Sequence, residues 1–189
     1  MEFAYDLDRS LAVLKSGGLI LYPTDTIWGI GCDATNPLAV RRVFALKKRE
    51  ETKSLIVLVA DERDILTYVS QPDPSIFEFL RTLEKPTTII YQGAVGLADN
   101  LVNADGTVAI RLVKDSFCRH LIKRMRKPLV STSANISGQP SPANFDEITP
   151  QIIHGVDYVV SYRQSDRTHR APSTILKLER DGTRTVIRP

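Results

Sequence analysis

Apolar positions along the chain follow two rhythms, and the points where one gives way to the other outline its elements. Leu7, Leu11 and Leu14 recur at helical spacing after Asp6, and Gly17-Gly18 offers the left-handed close that such a helix needs. "LILY" (19–22) reads as a strand stopped by Pro23. Asn36 before Pro37 is a cap followed by proline at the first helical position, predicting a helix to about Lys48 with Val40, Val43 and Phe44 inward. "LIVLV" (55–59) is a continuous apolar run, as expected of a strand covered on both faces. Helices are predicted from near Asp61 and near Pro74.

The second half repeats the alternation. "TTIIY" (87–91) is strand-like, a turn is expected at Asp105-Gly106, and "TVAIRL" (107–112) is another strand. Phe117, Leu121, Ile122 and Met125 form a helical stripe after Asp115, and "PLVS" (128–131) returns to strand. "DYVVS" (157–161), "STILKL" (173–178) and "RTVIR" (184–188) supply late strands, the last two joined by a turn at Asp181-Gly182. Strands mixed with helices predict one α/β domain over 1–189 with a mixed sheet.

Composition changes this picture little. A chain of 189 residues, 42% hydrophobic and 25% charged, is that of a globular protein with a real core. Cys32 and Cys118 match no metal-ligand spacing and read as small buried apolar groups. The acidic N-terminus lacks a signal peptide's basic and apolar regions, and no apolar run approaches a membrane span, so a cytoplasmic location and no membrane partner are expected. The sequon Asn135-Ile136-Ser137 is then a coincidence of composition. The net charge of +3 is too small to imply nucleic-acid binding, but it is unevenly distributed. Arg41, Arg42, Lys47, Lys48, Arg49 and Lys53 form one basic cluster; Arg119, Lys123, Arg124, Arg126 and Lys127 form another. Either reads equally as a solvated helix face.

Four stretches could carry chemistry. "YPTDTIWGIGCDA" (22–34) satisfies a loose G-x-G-x-x-A pattern, but its glycines do not open the next helix, so they read instead as places where backbone approaches a ligand or a neighbouring strand. Lys47, Arg49 and Lys53 either complement a helix C-terminus or present the several positive donors a polyphosphate requires. Arg111, set among apolar residues in "VAIRL", must meet an internal Asp or Glu or else a substrate carboxylate. Ser131, Thr132, Ser133 and Asn135 follow a strand end, where they read as a polar surface loop or as hydroxyl and amide donors for phosphate and ribose. His120, His154 and His169 pair with no nucleophile and read as surface residues.

In their order and spacing, "YPTDTIWGIGCDA", K-x-R at 47–49 with "KSLIVLV", "VAIRL", "STSANISGQPSP", "PSTI" and the terminal "VIRP" resemble the YrdC-type threonylcarbamoyl-AMP synthase family over essentially the whole length. The resemblance implies a YrdC-like twisted open mixed sheet with flanking helices around a deep basic groove, in the short, single-domain form. It implies a nucleotidyltransferase making threonylcarbamoyl-AMP and pyrophosphate from L-threonine, bicarbonate and ATP, for the t6A modification of tRNA. By resemblance Lys47 and Arg49 act at the reacting phosphates, and Lys53, Ser131, Ser133, Asn135, Ser173 and Arg188 bind the nucleotide. Thr24, Thr26 and Arg111 take threonine, and Mg2+ arrives with ATP, held mainly by nucleotide and water. The implied partners are the substrates, the later t6A enzymes and, more weakly, double-stranded RNA or tRNA. Three segments depart from the family pattern: "LEKPTT" (83–88), Leu58 in place of a histidine, and "SYRQSDR" (161–167) in place of a glycine-rich run. Rival readings are a non-synthase paralogue, which would lack the K-x-R and S-x-N pairs, and an RNA-binding module, for which no aromatic-interleaved basic stretch is present.

Overall fold

A computed structural model describes residues 2–51, 54–179 and 182–189. Lys53, and Asp181 of the expected Asp181-Gly182 turn, lie outside the described residues. The strands among them are β1 (Ile20–Tyr22), β2 (Gly29–Gly31), β3 (Ile56–Val59), β4 (Thr87–Gln92), β5 (Thr107–Leu112), β6 (Leu129–Ser133), β7 (Tyr158–Val159), β8 (Thr174–Leu178) and β9 (Arg184–Arg188). They form a mixed sheet in the order β7-β1-β2-β6-β3-β5-β4-β8-β9. β1 and β7, β3 and β5, and β4 and β8 pair parallel; the other neighbours are antiparallel.

The helices are α1 (Ala4–Lys15), α2 (Pro37–Lys47), α3 (Glu62–Tyr68), α4 (Ser75–Thr82), α5 (Ser116–Met125) and α6 (Pro150–Gly155). Their start signals act as expected: the Asn36 side chain accepts from the N–H of Leu38 and Ala39, and Asp115 accepts from the N–H of Cys118. α1 closes through Gly17 at φ 78°. Among the described residues no helix is long and apolar enough to cross a membrane.

Strand alternation divides the core between the two faces of the sheet. Leu19, Leu21, Val57 and Val59 point to a core shared with the apolar stripes of α2, α3, α4 and α6. Ile20, Tyr22 and Leu58 point the other way, against Leu7, Leu14, Phe117, Leu121 and Met125 of α1 and α5. Cys32 and Cys118 are buried and free, and the three histidines are exposed, as their sequence contexts suggested.

The observed elements correct the sequence reading at four places. β2 was not expected: its two glycines offer no side chains to alternate, yet it pairs with both β1 and β6. β6 runs past the expected end at Ser131 to Ser133, so Thr132 and Ser133, read as following the strand end, are strand residues paired across to β2. The strand expected over 157–161 is only two residues long, and α6, one and a half turns opened by Pro150, was missed.

Candidate active site

α1 and α5 cover only part of their face of the sheet. On the remainder, Ile56 of β3, Ile90 of β4, Ala109 and Arg111 of β5, Ser131 of β6 and Ile175 of β8 floor a cavity of about 460 Å3. Register explains the grouping, because Ile56 is opposite both Ser131 and Ala109, and Leu58 is opposite Arg111. The rim adds Thr26, Trp28, Arg49, Ser54, Ser133, Ser141, Ser173 and Arg188. Three arginines therefore face the cavity and, among the described lining residues, no carboxylate does.

Arg111 sits on a central strand and is 3% exposed. The internal acid foreseen as an alternative is present: Asp25 Oδ1 lies 3.1 Å from Arg111 Nη2. That pair is close in charge but outside hydrogen-bond geometry, leaving Nε and Nη2 of Arg111 and Oδ1 of Asp25 buried without a hydrogen bond. Each such group costs about 1–3 kcal/mol. Asp25 thus offsets the buried charge while two guanidinium donors of this cavity-lining residue keep no hydrogen-bond partner, which suits a fork-binding anion.

Lys47 ends differently from both sequence alternatives. It follows Val40, Val43 and Phe44 on the buried stripe of α2, so its side chain enters the protein. Nζ donates to the carbonyl of Ser133, to the carbonyl of Asn135 at 2.6 Å and to Asn135 Oδ1 at 3.4 Å. In return the N–H of Ser137 donates to the Lys47 carbonyl at 2.8 Å. Burial, followed by the charge of Arg49, pushes Lys47 down to about 8, while three acceptors that use all its protons favour the charged form. Lys47 and Asn135 accordingly lie behind the cavity wall, where they hold the loop after β6.

Arg49 and Arg188 are on the wall itself. Arg49 donates to the Ser54 carbonyl at 2.9 Å, and burial lowers it from its usual value. Arg188 holds the Ser173 carbonyl through Nη2 at 2.7 Å and Nε at 3.1 Å, and Ser173 Oγ lies 2.8 Å from Thr88 Oγ1. Burial and then the positive charge of Arg111 lower Arg188, so the two cations sense each other across the cavity. Thr24 and Thr26 join at 2.9 Å through their hydroxyls, with Thr26 on the wall and Thr24 behind it.

The glycines behave as the motif suggested. A Cβ on Gly31 would lie 2.6 Å from the Val130 carbonyl and 2.7 Å from the Tyr22 ring, and one on Gly29 would lie 3.2 Å from Ser131 Oγ. Sequence reasoning missed Asp25 and Arg163. Asp25 had a signal, an acid between two threonines after a strand-ending proline; Arg163 had none, because its partners are Thr24 and Asp115.

The family model for the Sua5/YciO/YrdC domain, described as "Telomere recombination", matches residues 12–189. A putative threonylcarbamoyl-AMP synthase of Methanocaldococcus jannaschii is 36% identical over 168 residues, covering 89% of this chain and 78% of that protein. A threonylcarbamoyl-AMP synthase of Idiomarina loihiensis is 34% identical over 148 residues, covering 76% and 78%. The crystal structure of P. abyssi Sua5 complexed with L-threonine superposes with a TM-score of 0.86 at 21% identity, over 98% of this chain and 54% of that one. This chain thus spans about half the length of that protein, and the likeness there is one of fold. With the family model matching nearly its whole length, the chain belongs to the Sua5/YciO/YrdC family.

Proposed function

We propose that this cavity makes threonylcarbamoyl-AMP and pyrophosphate from L-threonine, bicarbonate and ATP, a reading in line with the name threonylcarbamoyl-AMP synthase that its relatives carry. The observation that carries the reading is Arg111, buried beside Asp25 with two donors that have no hydrogen bond, on a cavity lined by two further arginines and no described carboxylate. Such a site favours a ligand with separated negative charges: a carboxylate at one end and phosphates at the other.

In this reading Arg111 clamps the threonine carboxylate, with Thr26 and, behind it, Thr24 at the amino-acid end. The threonine amine adds to the carbon of bicarbonate and water is lost, giving a carbamate. A carbamate oxygen then attacks the α-phosphorus, and pyrophosphate leaves. Arg49, joined by Lys53, neutralises the triphosphate, while Ser131, Ser133, Ser173 and Arg188 take the nucleotide. Lys47 and Asn135 act one layer back by fixing the loop that carries Ser133. No enzyme nucleophile is needed, since positioning and charge stabilisation suffice for this class of transfer. Among the described residues no three His, Cys, Asp or Glu side chains converge as metal ligands would, and the lining hydroxyls and arginines suit phosphate oxygens better than a dication. Mg2+ in this proposal enters on the nucleotide, ligated by phosphate and water.

Of the basic cluster at 119–127, two members are engaged within the protein rather than presented to an RNA backbone: Arg124 pairs with Asp8 and Lys127 with Asp33, both at 2.6 Å. The test is pyrophosphate release from ATP by the purified protein, with threonine and bicarbonate each present or omitted. Release that needs both is expected; none from folded protein under any combination overturns the proposal.

A further inference from the structure

Residues 161–170, of which 161–167 leave the family pattern, run as irregular chain beside the Thr24–Thr26 turn, and their charges are organised. Asp6, buried in α1, accepts from the N–H of Ser161 and Tyr162 at 2.9 Å and from the Tyr158 hydroxyl at 2.6 Å. The segment therefore leaves β7 at a fixed point. Arg163 then adopts φ 66°, a left-handed backbone that costs a non-glycine residue about 1 kcal/mol or more and persists where side-chain bonds impose it. Its Nη1 donates to the Thr24 carbonyl at 3.1 Å and to Asp115 Oδ2 at 3.0 Å, and its Nε reaches Asp166 Oδ2 at 3.4 Å. Asp166 Oδ2 is shared with Arg170 at 3.3 Å, while Oδ1 accepts from the Thr168 N–H at 2.9 Å. The hydrogen bonds from Thr168, and then the two arginines, hold the Asp166 carboxyl well below the usual carboxylate range.

This knot lies directly behind the threonine pair of the wall. Thr24 Oγ1 accepts from the Thr26 N–H at 2.9 Å and has the Ile27 carbonyl at 2.8 Å. A carbonyl can only accept, so the single hydroxyl proton of Thr24 goes to Ile27, and the Thr26 hydroxyl must donate to Thr24. Thr26 Oγ1 is left presenting lone pairs to the cavity, where it can accept from a ligand N–H or O–H. Arg163, Asp166, Thr168, Arg170 and Asn144 close a second, narrow space beside Thr24, Thr26 and Trp28, of about 10 Å3, room for one water-sized group.

We propose that the Arg163–Asp166–Arg170 knot is a positioning and specificity-determining wall of the amino-acid subsite, fixing the Thr24–Thr26 turn from behind so that Thr26 selects a small side chain carrying a hydroxyl donor. This rests on the threonylcarbamoyl-AMP reading. A pocket built to hydrogen-bond a hydroxyl rejects an isostere lacking it, so threonine is favoured over valine only while the turn is held.

The experiment is pyrophosphate release with threonine, serine or valine, for wild type, Arg163→Ala, Arg163→Lys and Asp166→Ala. Arg163→Ala is expected to raise the KM for threonine about tenfold and Asp166→Ala about threefold, each narrowing the threonine-over-valine preference and leaving the KM for ATP within about twofold. Arg163→Lys, which keeps a donor for Thr24 or Asp115, is expected to recover part of the loss. Asp166→Ala retains the bonds of Arg163 to Thr24 and Asp115, and reports even where Arg163→Ala fails to fold. An unchanged threonine KM, or threonine and ATP KM values rising together, overturns the wall. A wild-type protein that releases no pyrophosphate with any amino acid overturns the synthase reading and the wall with it.

Discussion

The cavity has two unlike sides. On one, β2, β5 and β6 bring Arg111, Ser131 and Ser133 to the wall from the middle of the sheet, with Tyr22, Ile30, Leu58 and Val130 fully buried around them. On the other, the β8–β9 hairpin supplies Ser173, Ile175, Ile187 and Arg188 from the sheet's edge, where every residue of β9 is exposed. Arg111 is held by a strand and a buried carboxylate; Arg188 is held by two hydrogen bonds to one carbonyl. The comparison teaches that groups needing exact placement stand on the side where moving them would disrupt the core, while the edge carries charge that can adjust to its ligand.

Arg111→Lys tests that contrast most severely. A lysine keeps the charge opposite Asp25 but not the planar fork, and kcat/KM for threonine is expected to fall about 100-fold, close to 2.7 kcal/mol. An equal loss from the same change at Arg188 would erase the distinction between the sides. Next, Gly31→Ala probes the buried side through stability alone: its Cβ would meet the Val130 carbonyl and the Tyr22 ring. Overpacking of about 2 kcal/mol is expected to lower the melting temperature by about 5 °C.

Lys47 sharpens the comparison through pH. One pH unit above its value of about 8, most molecules hold a neutral amine that cannot serve three acceptors, and turnover is expected to fall about tenfold. Stability moves the other way. The folded value lies below the ordinary lysine value of 10.5, so between the two the unfolded chain binds more protons and the unfolding free energy rises with pH. Lys47→Met should flatten that limb of the turnover profile and remove this contribution to the melting profile; a limb that survives the substitution belongs to another group. The smallest effect is expected at the edge. Arg188→Ala should raise the KM for ATP about threefold with the melting temperature nearly unchanged, in keeping with an exposed hydrogen-bonded charge.

Much of this was legible before the coordinates. Apolar stripes placed α1, α2 and α5, and the caps at Asn36 and Asp115 marked two starts. β2 was hidden because a strand of Gly-Ile-Gly has one side chain from which to read a period. Lys47 could have been read as buried, since it continues the spacing of Val40, Val43 and Phe44, but a lysine at a helix end also satisfies the helix dipole and spacing does not separate the two. The role of Arg163 was beyond the sequence, because its bonds join three segments distant in the chain.

By itself the sequence determined the α/β alternation, the family and the candidate residues, because periodicity, caps and motif order are local properties that survive without coordinates. Only the tertiary structure decided which cations are spent inside the protein and which face the cavity. Lys47 is engaged by loop carbonyls and Arg163 by the Thr24 carbonyl and the carboxylates of Asp115 and Asp166, whereas Arg49, Arg111 and Arg188 reach the wall. A buried charge is available to a ligand only to the extent that folding leaves its donors unmatched, and that depends on which distant groups the sheet brings within hydrogen-bond reach.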